Sequence, residues 1–445
     1  MRLVVYDEED GGTPAQQVQS YLDRDTHHDI GALAVSYADM SDAQCHALSE
    51  VLRAHWHMMT LDPGFVGRRT HTGIRRLDLS SNRITSLERA GLIDMVRENA
   101  VLTQLELQAN EIVRSRAHKV DECRRFAYAV STSTLRVLNM TANHLGDEGM
   151  AAFFDALPRT GTSLKSLYIS VNTFESASGS LQAARSIARF LSDSGACRGL
   201  ERLHLNGNHF GWAGVRMIAH AIMGSRAACT LGGTADATTH DESVLDAAPP
   251  NRSLIHIDLF STGIDSWAPA EPQTIYASWE SSSLVTRDRW WSLVERQLEE
   301  NERRRSAALR AATQVLVAAR LLGCKVHEAN PQCTYSFLRL PLELRLRLIS
   351  YVDSDGVLTH EQLVHVLQWA SEPGTIGYGT RIDPAPAPAT QLVWPIPPWS
   401  WDNCFQHRSV RRNWHSDSFD EDDLDGRGPR DPALLAFWEC TGVAH

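Results

Sequence analysis

One spacing of residues returns five times along this chain: apolar-x-x-Leu-x-Leu-x-x-Asn-x-apolar, with Met or Ile standing in for Leu at two places. It is read in Ile74, Leu77, Leu79, Asn82 and Ile84, and again in Leu102, Leu105, Leu107, Asn110 and Ile112. Three further copies are Leu135, Leu138, Met140, Asn143, Leu145; Leu164, Leu167, Ile169, Asn172, Phe174; and Leu200, Leu203, Leu205, Asn208, Phe210. A weaker copy, Leu254, Ile257, Leu259 and Ile264, has Thr262 in place of Asn, and Ile30, Leu33, Val35, Ala38 and Met40 fit the same template upstream. A unit repeated in this phase cannot bury its apolar side alone, so neighbours must stack to cover it. That excludes most closed folds and predicts a quasi-one-dimensional array.

Alternate residues of the Leu-x-Leu centre point to opposite sides of a short strand, so Leu77 and Leu79 face inward while Asp78 and Ser80 face out. The Asn side chain offers two donors and an acceptor just where the chain leaves the strand. Asn82, Asn110, Asn143, Asn172 and Asn208 are therefore expected to form a buried structural ladder that satisfies turn backbone groups.

These repeats resemble leucine-rich repeats, and specifically the ribonuclease-inhibitor type, in which a full helix follows each strand. The segments Leu145 to Leu157 and Phe210 to Ile222 carry that likeness. The resemblance covers about the N-terminal three-fifths of the chain. It implies an α/β leucine-rich-repeat horseshoe, parallel strands concave and helices convex, followed by a helical C-terminal region.

A chain of 445 residues with 43% hydrophobic and 22% charged residues has room for a large core and more than one region. A net charge of -11 argues against a nucleic-acid binder, and no stretch has the apolar length of a membrane span. The acidic N-terminus has no signal-peptide core, and the eight cysteines form no Cys-x-x-Cys pair. Both features lead to the expectation of a cytoplasmic or nuclear protein with reduced thiols.

Residues 1–28 are read as a polar lead-in and 29–266 as the repeat array, with a mobile insertion at 224–253. A helical cap region follows at 287–370, built on a long helix over about Arg287 to Leu322, and 371–445 form a Pro/Trp-rich and acidic tail. Within the cap region, 337–352 resembles the opening of an F-box: Leu340-Pro341-Leu342-Glu343-Leu344 leads into a helix with Leu344, Leu348, Ile349 and Val352 on one face. Only that opening matches. His360 and His365 are one residue too far apart for a His-Glu-x-x-His zinc helix. Asp353-Ser354-Asp355-Gly356 lacks the flanking carboxylates of a calcium loop.

No phosphate-cradling Gly-rich loop, nucleophile elbow or zinc-ligand set occurs, so no cofactor and no metal are expected. The outward strand positions define a surface in three rows. One is Arg76, Gln104, Val137, Ser166, Arg202, His256; the middle row is Asp78, Glu106, Asn139, Tyr168, His204, Asp258; the third is Ser80, Gln108, Thr141, Ser170, Asn206, Phe260. Mixed polar residues with Tyr168, His204 and Phe260 as anchors suit recognition of a protein partner by a non-enzymatic scaffold. Two narrower readings rest on resemblance. Gly146-Asp147-Glu148-Gly149 and Gly211-Trp212-Ala213-Gly214 look like strand-to-helix segments of Ran GTPase-activating proteins, whose repeats are more numerous and regular. That likeness implies a small GTPase as partner and places Arg83 at the family's functional Arg position. The F-box-like opening implies a cullin-ligase adaptor as partner.

Overall fold

The computed structural model describes residues 2–5, 12–24, 31–61, 74–112, 119–157, 162–173, 181–224, 249–259, 283–328, 340–353 and 356–371. The chain divides into two compact units after Arg304. The first is an open, all-parallel sheet of eight strands in chain order: β1 Arg2–Val4, β2 Ala32–Ala34, β3 Arg76–Asp78, β4 Gln104–Glu106, β5 Val137–Asn139, β6 Ser166–Tyr168, β7 Arg202–His204 and β8 His256–Asp258. The register is fixed by the central leucines. Leu3, Leu33, Leu77, Leu105, Leu138, Leu167, Leu203 and Ile257 stand side by side across all eight strands.

Helices return the chain between strands: α1 Pro14–Arg24, α2 Asp42–Leu61, α3 Leu92–Glu98, α4 Lys119–Thr132, α5 Gly146–Ala156, α6 Leu181–Ser192 and α7 Gly211–Met223. Their apolar sides meet the inward leucines in one continuous core, with Phe126, Phe153 and Phe154 forming an aromatic seam between neighbouring helices. The segment before residue 29, expected as a lead-in, belongs to this core. It supplies β1, which pairs with β2, and α1, whose Val18 is fully buried. Leu3 and Val5 already carry the alternation of an inward strand, and the acidic run behind them conceals it.

The ladder residues tie each turn to the repeat before it. The Asn172 amide donates to Met140 O at 2.9 Å, Ile169 O at 3.0 Å and Ser170 O at 2.9 Å, while its Oδ1 accepts from Asn143 N at 3.0 Å and Leu145 N at 3.3 Å. Asn82, Asn110, Asn143 and Asn208 donate in the same way to their own strand or turn and to the preceding repeat. The residue just before each Asn takes left-handed backbone: Ser81 (φ 55°), Ala109 (54°), Ala142 (56°), Val171 (54°) and Gly207 (71°). That twist aims its N–H at the next repeat; Val171 N, for example, donates to Asn206 O at 2.8 Å. Among these only Gly207 adopts the twist without a side-chain penalty.

Helix α8, Ser283–Glu328, begins in the first unit. Val294 and Leu298 enter the repeat core, and Gln297 and Asn301 cover the last repeat with hydrogen bonds. Asn301 donates to Asn251 O at 3.0 Å and Leu254 O at 2.8 Å, and Gln297 donates to Asn251 O at 3.2 Å. Asn251 was expected inside the mobile insertion at 224–253; instead it is buried. Its amide reaches Leu191 O at 2.9 Å, and its Oδ1 receives Leu254 N at 2.9 Å, fixing entry into β8. Residues 225–248 of that insertion lie outside the described residues.

The second unit packs the later part of α8 with α9 Leu342–Ser350 and α10 His360–Ser371 around Ala312, Val315, Leu346, Ile349, Val366 and Leu367. Helix α9 therefore turns Leu346 and Ile349 inward, while Leu344 and Leu348 stand exposed at 48% and 45%. Of the expected apolar face, Ile349 and Val352 meet the core, and Leu346 takes the place of Leu344 and Leu348. The tail from residue 372 lies outside the described residues.

Candidate functional site

The exposed face of the sheet carries side chains from the residues on either side of each buried Leu or Ile. Parallel strands set neighbouring side chains about 4.8 Å apart, close enough for rings to stack. Tyr168 and His204 do so: their centroids are 4.2 Å apart and their planes 6° from parallel. His256 continues the cluster from β8, 4.9 Å from His204 and tilted by 44°. Asp258 Oδ2 lies 3.9 Å from His204 Nδ1. Among the described residues, the buried Nε2 of His204 and the buried Oδ1 of Asn206 have no hydrogen-bond partner.

Ionisation in the cluster follows its packing. Desolvation pushes the Tyr168 hydroxyl above its ordinary value, with Arg202 pulling it back and Glu106 adding to the rise. Desolvation holds the His256 imidazole below its ordinary value, helped by the like charges of His204 and Arg202 and opposed by Asp258. Arg202 thus lies within electrostatic reach of both rings. It is exposed and forms no ion pair among the described residues.

Other expected contact residues divide. Arg76 and Gln108 are exposed. Asp78 and Asn139 are turned back onto their own chain, Asp78 Oδ1 accepting Ser80 N and Asn139 Oδ1 accepting Thr141 N, each at 3.0 Å. Asn139 also donates to Gln108 Oε1 at 3.0 Å, and Glu106 accepts from Gln104 at 2.9 Å. Ser80, Ser166 and Ser170, expected to face out, are buried, because a hydroxymethyl group is too short to rise above larger neighbours at this strand spacing. Phe260, with Thr262 and Ile264, lies outside the described residues.

The residues behind the narrower readings lie elsewhere. Arg83 follows the ladder Asn82, and its guanidinium forms an ion pair with Asp39 of the preceding repeat. In the second unit Leu340 packs against the small helical core, Pro341 starts α9, and Glu343 and Leu344 are exposed. Asp353 is a buried turn residue whose carboxylate accepts Val357 N at 3.1 Å and Leu358 N at 2.8 Å. Among the described residues no group of three His, Cys, Asp or Glu side chains is placed to hold a metal ion, and no helix is long and apolar enough to cross a membrane.

Two positions escaped sequence reasoning. His256 stands beside Arg202 in the outer row as the spacing places it, but its diagonal ring contact with His204 of the middle row is a matter of side-chain packing that the rows do not carry. Arg75 precedes β3, outside the Leu-x-Leu window, and is exposed beside Arg76.

Residues 132–154, running from the end of α4 through β5 into α5, match the family model described as Leucine Rich repeat. No curated protein matches the chain. The match and the parallel sheet of alternating strands and helices fit a leucine-rich-repeat protein.

Proposed function

We propose that the protein is a binding scaffold that recognises a protein partner on the exposed face of β3–β8, without catalysis of its own. The observation that carries this reading is the Tyr168–His204–His256 cluster. Three stacked or tilted rings from three successive strands, flanked by the exposed Arg202, make a partly desolvated platform. Aromatic and Arg side chains in such surroundings carry most of the energy in protein interfaces. The full helices between strands also support the likeness to ribonuclease-inhibitor-type repeats. Buried thiols at Cys45, Cys123 and Cys197 suit an intracellular setting.

Neither narrower reading is favoured by its residues' surroundings. The Arg83 guanidinium is paired with Asp39, and the F-box-like segment is matched only at its opening. The test is affinity purification of the tagged full chain beside a Tyr168→Ala/His204→Ala variant that keeps the wild-type thermal transition. A stoichiometric partner lost from the variant is expected. Equal recovery of every partner by both forms would place recognition elsewhere.

A further inference from the structure

The entry ends of the strands line up exposed cations along one edge of the sheet. The chain bears a net charge of -11, yet the exposed cations at this edge of the sheet are Arg75 and Arg76 at β3 and Arg202 at β7, and none of the three forms an ion pair among the described residues. His256 at β8 continues the line past Arg202. Several exposed arginines elsewhere on the first unit are engaged: Arg125 makes two 2.6 Å bonds to Glu88, and Arg97 and Arg83 pair with Asp94 and Asp39, whereas Arg198, Arg252 and Arg296 stand singly among the described residues. Asp78 and Glu106, acidic groups on the same face, are already engaged by their own chain. Asp78 is held by its own turn, and Glu106 accepts from Gln104.

Resting on the binding face proposed above, we infer that its partner presents an acidic, extended peptide segment, laid across the strands from Arg76 to Arg202. Four inter-strand steps of about 4.8 Å separate β3 from β7, so roughly six extended residues bridge the two cations. A carboxylate near one end meets Arg75 and Arg76; one near the other meets Arg202, with the Tyr168–His204 stack beneath the intervening chain. His256, faced by His204 and Arg202 from β7 and by Asp258 on its own strand, becomes a second cation when protonated. Affinity therefore rises as pH falls from 7.5 to 5.5, where peptide carboxylates are still ionised.

The probe is a displayed library of random 16-residue peptides, selected on the full chain and counter-screened on variants. Enriched peptides are expected to carry at least two Asp or Glu about six residues apart. Arg76→Glu and Arg202→Glu should each weaken the best of them by about tenfold or more, a change on the order of 1.4 kcal/mol. Arg303→Glu, on the exposed side of α8, changes net charge equally and should leave binding unaltered. Neutral peptides lost on Tyr168→Ala but kept on Arg202→Glu would overturn the acidic partner and leave the binding face intact. Peptides indifferent to both substitutions would remove the face as well. Equal weakening by Arg303→Glu would reduce the effect to overall charge and overturn the inference, as would enrichment of no peptide.

Discussion

Asn208 Oδ1 accepts the backbone N–H of Asn172 at 2.8 Å, so the side chain of one rung holds the main chain of the rung before it. Asn172 passes the same bond to Asn143 N at 3.0 Å. Each rung is thus a hydrogen bond between repeats made in a dry interior, where an unmade bond costs about 1–3 kcal/mol. Asn172→Ala strands Met140 O and the N–H groups of Asn143 and Leu145, while Ile169 O and Ser170 O keep bonds from the Asn208 amide and Ala142 N. It is expected to destabilise the array by roughly 3 kcal/mol or more, since the orphaned groups cannot reach water. Urea unfolding followed by circular dichroism checks this. A loss under about 1 kcal/mol would mean that the ladder is incidental to stability.

Val171 and Gly207 occupy the same left-handed place in successive repeats, and they touch. A Cβ built on Gly207 would meet Val171 Cγ2 at 2.9 Å. A β-branched residue at φ 54° is strained by about 1–2 kcal/mol, against an unfolded-state entropy cost of about 0.5–1 kcal/mol for Gly. Val171→Gly is therefore expected to be neutral to stabilising by about 1 kcal/mol. Gly207→Ala should destabilise, and should do so less in the Val171→Gly background, because the clash partner has gone. Thermal melts of the two single variants and the double variant form the cycle that checks the coupling.

The parallel sheet was legible because its determinants are local. Leu77, Leu79 and Asn82 lie within six residues of each other, and every copy keeps that spacing. What escaped depends on register or on competition for the same side chain. β1 has the inward Leu3 and Val5 but no turn Asn, so its place beside β2 is visible only once the strands are paired. Asp78 and Asn139 point outward as the alternation requires. A short side chain two residues before a free backbone N–H, however, closes its own turn before it meets a partner. Helix α9 is amphipathic by either choice of stripe; its actual neighbours select Leu346 and Ile349 over Leu344 and Leu348.

Cys45 and Cys123 sit in the seam between strands and helices, where burial pushes both thiols up to about 12; Cys197 is raised by the same cause, and its sulfur also accepts from Asn251 at 3.1 Å. The thiolate is the reactive species, so all three are expected to resist iodoacetamide at pH 8 while the chain is folded. Peptide mapping by mass spectrometry should find them alkylated only after denaturation. Rapid native labelling of Cys45 or Cys123 would show that the repeat core opens far more readily than its packing implies.

His256 gives the array a pH dependence whose sign is fixed. Desolvation beside His204, with Arg202 close by, holds its folded-state pKa below the ordinary 6.5. The unfolded chain therefore binds more protons in the window between the lowered value and 6.5. Stability contributed by this site rises with pH through that window. Below the lowered value the penalty for charging the ring is fully present; above 6.5 it is absent. Urea midpoints measured from pH 7.5 down to pH 5 should fall for the wild type, and fall less for His256→Gln, which keeps a polar side chain without a titrating ring. A variant with the full wild-type slope would assign the dependence to other groups and remove His256 as the proton-sensitive edge of the binding face.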